Sequence, residues 1–186
     1  RVDGFVAVCQ TGRDLFVPLV VARASAPDIG GLLRRALQPE RPYTIVTLPA
    51  LREEIERVTS VDEGHLNQVH VLESAAYRPV INVMVQTGQR PFRYEIRVGE
   101  RVAAAAGVNW QTDHMAEMYV YAESEFQGRG WAKAVGAACL ADLVKARLLP
   151  LYTIAEDNVA SQRLAGTLGF RDSGAREYEC RAQLRP

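Results

Sequence analysis

Runs of apolar residues with polar breaks between them predict a small α/β unit in the first half of the chain. Residues 5–9 and 15–22 are expected to form a hairpin around the turn-forming sequence Thr11-Gly12-Arg13-Asp14. A capping segment at residues 25–28 precedes apolar positions at helical spacing, at Ile29, Leu32, Leu33, Ala36 and Leu37. Further strands are predicted at residues 43–48, 69–72 and 80–85, and a second helix begins after Pro49.

A polar segment at residues 86–91 interrupts these periods and marks a predicted boundary between two lobes, residues 1–89 and residues 90–186. The second lobe is predicted to contain strands at residues 92–98, 101–110, 115–122 and 151–155, and one or two closing strands at 170–183. An Ala-rich helix is expected over residues 130–149, ended by Pro150. Another helix, capped by Asp157 or Asn158, is expected to end at Leu168 before Gly169.

Composition then narrows the classes of function. The chain has 186 residues, of which 48% are hydrophobic and 24% charged, as in ordinary globular proteins. Its 22 Lys and Arg residues are balanced by 22 Asp and Glu residues, so no net charge favours nucleic acid or an anionic membrane as a partner. No apolar run is long enough to span a membrane and no signal sequence opens the chain, so we expect a cytoplasmic protein. The start at Arg1 indicates that an upstream segment is missing from this sequence.

The cysteines and histidines do not have the spacing of metal ligands. Cys9, Cys139 and Cys180 are odd in number and far apart, which favours buried reduced thiols over a disulfide framework. His65, His70 and His114 are also isolated from one another. No metal site is therefore predicted.

The segment from Val120 to Ala132 is the most informative about chemistry, because it joins a predicted strand to the start of the Ala-rich helix. Its sequence is Val-Tyr-Ala-Glu-Ser-Glu-Phe-Gln-Gly-Arg-Gly-Trp-Ala. Glycines there allow backbone N–H groups to converge on an anion, and the helix dipole adds positive potential. A dinucleotide fingerprint would need a glycine in place of Lys133, and the Gly-Lys-Ser/Thr of nucleotide-triphosphate loops is absent. The segment therefore predicts a different kind of pyrophosphate site, although such loops also serve as plain tight connections.

Two motifs in the second lobe resemble those of the GNAT superfamily of acyl-CoA N-acyltransferases. Gln127, Gly130 and Ala132 match its Gln/Arg-x-x-Gly-x-Gly/Ala signature. The second motif is matched by Asn158, Ser161, Leu168, Gly169 and Phe170. The resemblance implies an α/β (α+β) fold with a mixed, mostly antiparallel twisted sheet and helices on both faces. The first lobe is similar to the partial α/β half of two-lobed members, and the second to the acetyl-CoA-binding core.

The resemblance also implies where acetyl-CoA binds. The backbone amides of Gln127, Gly128, Arg129, Gly130, Trp131 and Ala132 are expected to hold the pyrophosphate. The main chain at Val120 and Ala122 is expected to pair with the pantetheine arm like an added strand. Asn158 and Ser161 complete the predicted contacts, with Asn158 touching the pantetheine or ordering the loop near it, and a plain helix cap is its alternative role.

Glu117 is the first candidate for the catalytic base, because it lies on the strand of Val120 where some family members carry a catalytic glutamate. A base is needed since an alkyl amine with a pKa of about 10.4 is mostly protonated at neutral pH. Glu123, His114 and a chain of waters are alternatives, and Glu117 could equally be a solvent-facing carboxylate. A main-chain amide near Val120 is expected to stabilise the negative charge on the thioester oxygen.

One position departs from the family pattern. Many members have a tyrosine in the second-motif helix that protonates the leaving thiolate, but this chain has Ala165 there. Tyr119, Tyr121, Tyr152 or Tyr178 could replace it, or no acid is needed because a thiolate with a conjugate pKa of about 8.5 is a tolerable leaving group.

These observations predict an N-acetyltransferase that moves an acetyl group to a primary amine of a small molecule or peptide. No well-placed Cys or Ser nucleophile is seen, so we expect direct attack in a ternary complex. A homodimer is possible. Two alternatives stay open: a degenerate module that binds CoA or a metabolite without turnover, and a structural interaction domain that does not bind CoA.

Overall fold

The computed structural model describes residues 4–10, 16–24, 29–73, 82 and 84–186. Its strands are β1 Gly4–Cys9, β2 Leu19–Ala24, β3 Pro42–Thr47, β4 Thr59–Leu72, β5 Gln86–Thr87, β6 Tyr94–Val98, β7 Arg101–Gln111, β8 Met115–Ala122, β9 Leu149–Ala155 and β10 Phe170–Leu184. Its α-helices are α1 Ile29–Ala36, α2 Arg52–Val58, α3 Trp131–Lys145 and α4 Val159–Leu168, and two short 3-10 helices span Pro49–Leu51 and Ser124–Phe126.

The chain forms two compact units, and one of them is built from two separate stretches of the sequence. One contains Arg1–Asn67 and Arg176–Pro186, and the other contains Gln68–Ala175, so that β4 and β10 each contribute to both. The division predicted from the sequence, residues 1–89 and 90–186, stays a prediction, because compactness alone does not decide which segments fold independently.

The first unit is a mixed sheet with two helices on one face. β1 pairs with β2 and β10 pairs with β3 in antiparallel fashion, whereas β2 and β3 are parallel. Side chains of α1 and α2 pack with alternate residues of β2, β3 and β10, and Ile29, Leu33, Ile45, Ile55 and Tyr178 are fully buried there. This period-two burial in strands and helical spacing in α1 is the pattern expected of an α/β layer.

The second unit contains β5 to β9. The pairs β5–β6, β6–β7 and β7–β8 are antiparallel, and β8–β9 is parallel. Even-numbered residues of β6 to β9 pack with α3 and α4, and the buried residues include Ile96, Met118, Leu140, Ile154 and Leu168. Both units are therefore mixed and mostly antiparallel, which confirms the predicted fold class.

Most predicted elements are present, and the exceptions have local causes. The Ala-rich helix was predicted to continue to residue 149, which is wrong: α3 ends at Lys145 because Arg147 adopts the left-handed region at φ 60°. Pro150 instead lies in β9, opposite Ala116. The predicted strand at 69–72 is the end of the longer β4.

The strand predicted at residues 80–85 is not seen in its described residues. Asn82, Met84 and Val85 form a turn, in which Val85 N donates to Asn82 O at 3.1 Å. The side chain of Asn82 also accepts from Met84 N at 2.9 Å, a local bond that competes with strand pairing. Residues 80, 81 and 83, the turn at 11–14 and the capping segment at 25–28 lie outside the described residues.

Candidate functional site

β8 pairs with two neighbouring strands, β7 and β9, over different lengths. The antiparallel ladder with β7 runs from Gln111 opposite Ala116 to Ala104 opposite Ala122. The parallel ladder with β9 joins only three residue pairs, and its last pair is Glu117 with Leu151. Beyond Glu117 the two parallel strands are unpaired, which leaves backbone N–H and C=O groups on one edge of β8. We call this unpaired stretch between β8 and β9 the wedge.

The segment that follows β8 turns sharply on two glycines. The 3-10 helix Ser124–Phe126 is closed by a hydrogen bond from Gln127 N to Ser124 O at 3.3 Å, so this amide already has a partner. Gly128 and Gly130 then adopt φ 77° and 74°, which glycine reaches without the steric penalty of other residues. An ideal Cβ on either glycine meets no heavy atom within 4 Å. The loop is therefore open to a ligand beside both glycines.

Helix α3 begins directly after this loop without a capping side chain. Gly130 is its N-cap residue, and its carbonyl accepts from Ala134 N at 3.0 Å. The backbone N–H groups of Trp131, Ala132 and Lys133 come before this first bond, and no side chain at the N-cap accepts from them. Unpaired N–H groups and the helix dipole favour an anion at this end of α3.

An aromatic pair holds an arginine next to the same loop. The rings of Phe126 and Trp131 stack with centroids 5.6 Å apart. The guanidinium carbon of Arg129 lies 5.6 Å and 5.2 Å from the two centroids, and Arg129 has no ion pair among the described residues. Arg101 also lies over Phe126, but Glu123 and Glu125 pair with it. Arg129 therefore contributes uncompensated positive charge to the loop.

Glu117 is held on the opposite sheet face from α3 by two neighbouring residues of β7. Asn109 Nδ2 donates to Glu117 Oε1 at 2.8 Å, and Trp110 Nε1 donates to Glu117 Oε2 at 2.7 Å. Both donors are neutral, and no cationic side chain forms an ion pair with Glu117 within the described part of the chain. Neither Asn109 nor Trp110 is among the residues predicted from the sequence, and an Asn in an otherwise apolar strand is the only signal that could have indicated them.

The alternative bases differ from Glu117 in their surroundings. Glu123 forms an ion pair with Arg101, which compensates its charge. His114 lies in the exposed turn between β7 and β8, where its carbonyl accepts from Leu149 N at 2.8 Å. Of the three candidates, Glu117 alone lies where the β8–β9 ladder ends.

The second motif forms the start of α4 and reaches a tyrosine of β9. Asn158 Oδ1 accepts from Ser161 N at 3.0 Å and so caps the helix. Burial raises the pKa of the Tyr152 phenol, and a hydrogen bond with Ser161 opposes part of that rise. Ala165 is fully buried in the core of this unit. The structure thus brings Asn158, Ser161 and Tyr152 together.

The other three tyrosines have different partners. The hydroxyl of Tyr119 accepts from Arg93, and that guanidinium also pairs with Glu95, which raises the pKa of Arg93. Tyr121 is 49% exposed. Tyr178 belongs to the first unit, where its hydroxyl donates to Glu56 at 2.8 Å. Val120 and Ala122 pack their side chains against the core of the second unit, so only their main chain borders the wedge.

Comparison with known proteins identifies the family. Residues 90–180 match the family model of GNAT acetyltransferases. This segment belongs to the GNAT superfamily. This segment contains β8, the glycine loop, α3 and the capped helix α4. No curated protein sequence matches the chain.

Solved GNAT structures share the fold at low sequence identity. A putative GNAT acetyltransferase from Novosphingobium aromaticivorans is 18% identical, with a TM-score of 0.73 over 92% of this chain and 86% of that one. A GCN5-related N-acetyltransferase from Kribbella flavida is 14% identical, with a TM-score of 0.68 over 98% and 88%. A GCN5-related N-acetyltransferase-like protein from Streptococcus suis is 14% identical, with a TM-score of 0.67 over 96% and 84%.

The described residues contain neither a metal-binding cluster nor a membrane-spanning helix. No group of three or more His, Cys, Asp or Glu side chains there could hold a metal ion. No helix there has the length and apolar character to cross a membrane.

Proposed function

We propose that this chain is an N-acetyltransferase that moves an acetyl group from acetyl-CoA to a primary amine of a small molecule or peptide. Membership of the GNAT superfamily supports acyl transfer from an acyl-CoA. The observation that carries the proposal is the position of Glu117, a carboxylate at the residue where the β8–β9 ladder ends. The glycine loop begins a few residues further along the same chain segment. The proposed base and the proposed anion site thus follow one another along β8 and the loop after it.

The described residues fit an acyl-CoA in three respects. Positive φ angles and open space at Gly128 and Gly130 let main-chain amides approach a pyrophosphate. The uncapped N–H groups of α3 and the guanidinium of Arg129 supply positive potential. The unpaired edge of β8 at residues 118–122 offers hydrogen bonds to the pantetheine amides. Bound here, an acyl-CoA supplies an activated thioester carbonyl.

In the proposed reaction, Glu117 removes a proton from the acceptor ammonium, directly or through a water, so that the neutral nitrogen can attack the thioester carbonyl. This step is needed because alkyl amines have a pKa of about 10.4. A backbone N–H near Val120 would stabilise the negative charge that develops on the carbonyl oxygen. Tyr152 would donate a proton to the leaving thiolate, since a phenol with an ordinary pKa of about 10 is protonated at neutral pH and its hydroxyl lies within hydrogen-bond reach of Ser161 in the second motif.

The test is a calorimetric titration with acetyl-CoA of the wild type and two variants of α3. Ala132→Glu places a negative charge in the first turn, where it repels phosphate but suits the helix dipole. Ala141→Glu makes the same change at an exposed position further along the helix. We expect the wild type and Ala141→Glu to bind with micromolar affinity, about −8 kcal/mol, and Ala132→Glu to fold normally without binding. A folded wild type that does not bind acetyl-CoA would show the proposal to be wrong.

A second candidate function is binding of CoA without turnover, and the buried Ala165 favours it because no hydroxyl stands at that position. Release of free thiol, measured across a panel of primary amines, separates the two. Amine-dependent thiol release that Ala132→Glu abolishes supports the transferase. Tight binding of acetyl-CoA with no thiol release from any amine supports the binding module.

A further inference from the structure

A β-bulge in β7 lies directly opposite Glu117. Val108 is paired with Met118 and Trp110 with Glu117, so Asn109 is an extra residue in β7. In a regular strand Asn109 and Trp110 would point to opposite faces of the sheet. A bulge removes this alternation and re-aims a side chain. Both side chains therefore reach the same carboxylate, one on each oxygen.

We propose that Asn109 and Trp110 position Glu117 and that the three residues form the seat of a protonated alkylamine. The proposal rests on the proposed function, because it names the class of acceptor. Two neutral donors fix the orientation of the carboxylate and leave its negative charge uncompensated. Such a carboxylate attracts a cation from solution.

Two arginines on the same sheet face, Arg93 and Arg97, already have partners. Glu95 accepts from Arg93 at 2.6 Å and from Arg97 at 2.9 Å, one guanidinium on each oxygen. Arg93 also donates to the hydroxyl of Tyr119, which lies opposite Gly107. Because these guanidinium groups pair with Glu95 and Tyr119, they do not neutralise Glu117, and its charge can attract the ammonium group of the acceptor. An acceptor with a carboxylate next to its amine would meet repulsion here, so simple alkylamines fit better than α-amino acids.

Trp110 supplies an apolar surface beside this charge. Its indole N–H is held by Glu117, yet 40% of the residue is exposed. An ammonium group near an aromatic face is stabilised by the ring quadrupole, and the adjacent methylene groups gain apolar contact. The seat therefore matches a cationic head with a carbon chain.

The first experiment measures amine binding without acyl-CoA. Trp131→Phe removes the second of the two tryptophans and leaves Trp110 as the single indole reporter. Titration with n-hexylamine should give a saturable fluorescence change, whereas n-hexanol and norleucine should give little. The same titration in Trp131→Phe with Glu117→Gln should be flat. A response to n-hexanol equal to that of n-hexylamine overturns the ammonium seat.

The second experiment is a double-mutant cycle in steady-state turnover. Asn109→Ala and Trp110→Phe should each lower kcat about 10- to 100-fold through misplacement of the carboxylate, with the KM for acetyl-CoA unchanged. In the Glu117→Gln background neither change should lower kcat further, because residues that act as a unit are not additive. Full additivity would assign both residues a merely structural role and overturn the positioning proposal.

The two experiments separate the seat from the transferase reaction. Saturable hexylamine binding with no turnover supports the seat and counts against acyl transfer. Turnover of alkylamines with no change in Trp110 fluorescence overturns the seat and leaves acyl transfer intact. Trp110→Phe and Trp110→Ala refine the result, since the phenyl ring should preserve the KM for hexylamine and its removal should raise that KM.

Discussion

In each of the two compact units a tyrosine ring packs against a glycine, but the surroundings of the two rings differ. A Cβ on Gly64 would lie 2.5 Å from the Tyr178 hydroxyl, and one on Gly107 would lie 2.7 Å from the Tyr119 hydroxyl. Tyr178 is fully buried. Tyr119 is partly exposed on the sheet face that also carries Glu117. The same local contact therefore serves a packed core in one unit and an accessible surface in the other.

The carboxylates beside these rings show the same contrast. Glu56 accepts from Arg52 at 2.7 Å and from the Tyr178 hydroxyl at 2.8 Å, and the bond from Arg52 is the main cause that lowers its pKa. Glu117 accepts from Asn109 and Trp110, which carry no charge. A carboxylate whose charge is matched by a cation belongs to the scaffold. A carboxylate oriented by neutral donors is not neutralised by them, so it can still attract a cationic ligand or accept a proton.

The largest effect that tests this contrast is expected from removing each charge in turn. Glu117→Gln should lower kcat about 10²- to 10⁴-fold, the range that a general base contributes. Glu56→Gln is the matched control and should leave kcat unchanged, with a loss of stability of about 0.2–1 kcal/mol as for an exposed ion pair. Steady-state kinetics and urea unfolding measure the two quantities. Equal losses of kcat in both variants would break the comparison.

The next effect concerns the two glycines. Gly64→Ala should destabilise the protein by about 1–3 kcal/mol, because the added methyl overpacks against a buried ring held by Glu56. Gly107→Ala should lower the free energy of unfolding by less, about 1 kcal/mol or below, because the partly exposed ring of Tyr119 can move aside. Urea unfolding at neutral pH compares the two variants directly. A larger loss for Gly107→Ala would mean that Tyr119 is held as firmly as Tyr178.

A smaller effect is expected at alkaline pH from Tyr94 of β6, whose hydroxyl donates to Asp142 of α3. Burial, together with a hydrogen bond to Asp142, raises the pKa of Tyr94 to about 12 from an ordinary value of 10.0. The unfolded chain therefore loses this proton first as the pH rises. The stabilisation is complete below about pH 10 and is lost as the pH approaches 12.

Tyr94→Phe should accordingly weaken the decline of urea midpoints between pH 9 and 11, a range chosen around the ordinary tyrosine pKa of about 10. Tyr178→Phe gives the matched measurement in the first unit, where burial is also the main cause that raises the pKa of the tyrosine. An unchanged slope for Tyr94→Phe would show that the pKa of Tyr94 is not raised in the folded protein.

The glycine loop could be predicted from the sequence because its signals are local. Strand β8 was predicted at residues 115–122 and is found there, and the glycines, the capping Asn158 and the αL Gly169 adopt the conformations that their residue types favour. Glu117 could be selected because the resemblance to GNAT members indicates a catalytic glutamate at this place on the strand of Val120. The site roles of these residues stay predictions.

The bulge and the wedge could not be predicted because they depend on pairing between strands. Period-two alternation in β7 gives no sign that Asn109 is an extra residue, since the register is defined only by Met118 and Glu117 across the ladder. The end of the β8–β9 ladder likewise depends on where two separate strands diverge. The early end of α3 was missed because Arg147, unlike glycine, rarely adopts a left-handed conformation.

The smallest expected effect extends the glycine comparison to the helices of the second unit. Gly166 lies inside α4 and a Cβ there meets nothing within 4 Å, so Gly166→Ala should stabilise the protein by about 0.5–1 kcal/mol through helix propensity. A Cβ on Gly136 of α3 would meet Leu168 at 3.0 Å and Val120 at 3.4 Å. Gly136→Ala should therefore not increase the free energy of unfolding in this way. Its added methyl should also push against Val120 of β8 and so weaken acetyl-CoA binding. Thermal unfolding with calorimetry tests both, and weaker acetyl-CoA binding by Gly166→Ala than by Gly136→Ala would contradict the view that β8 packing shapes the wedge.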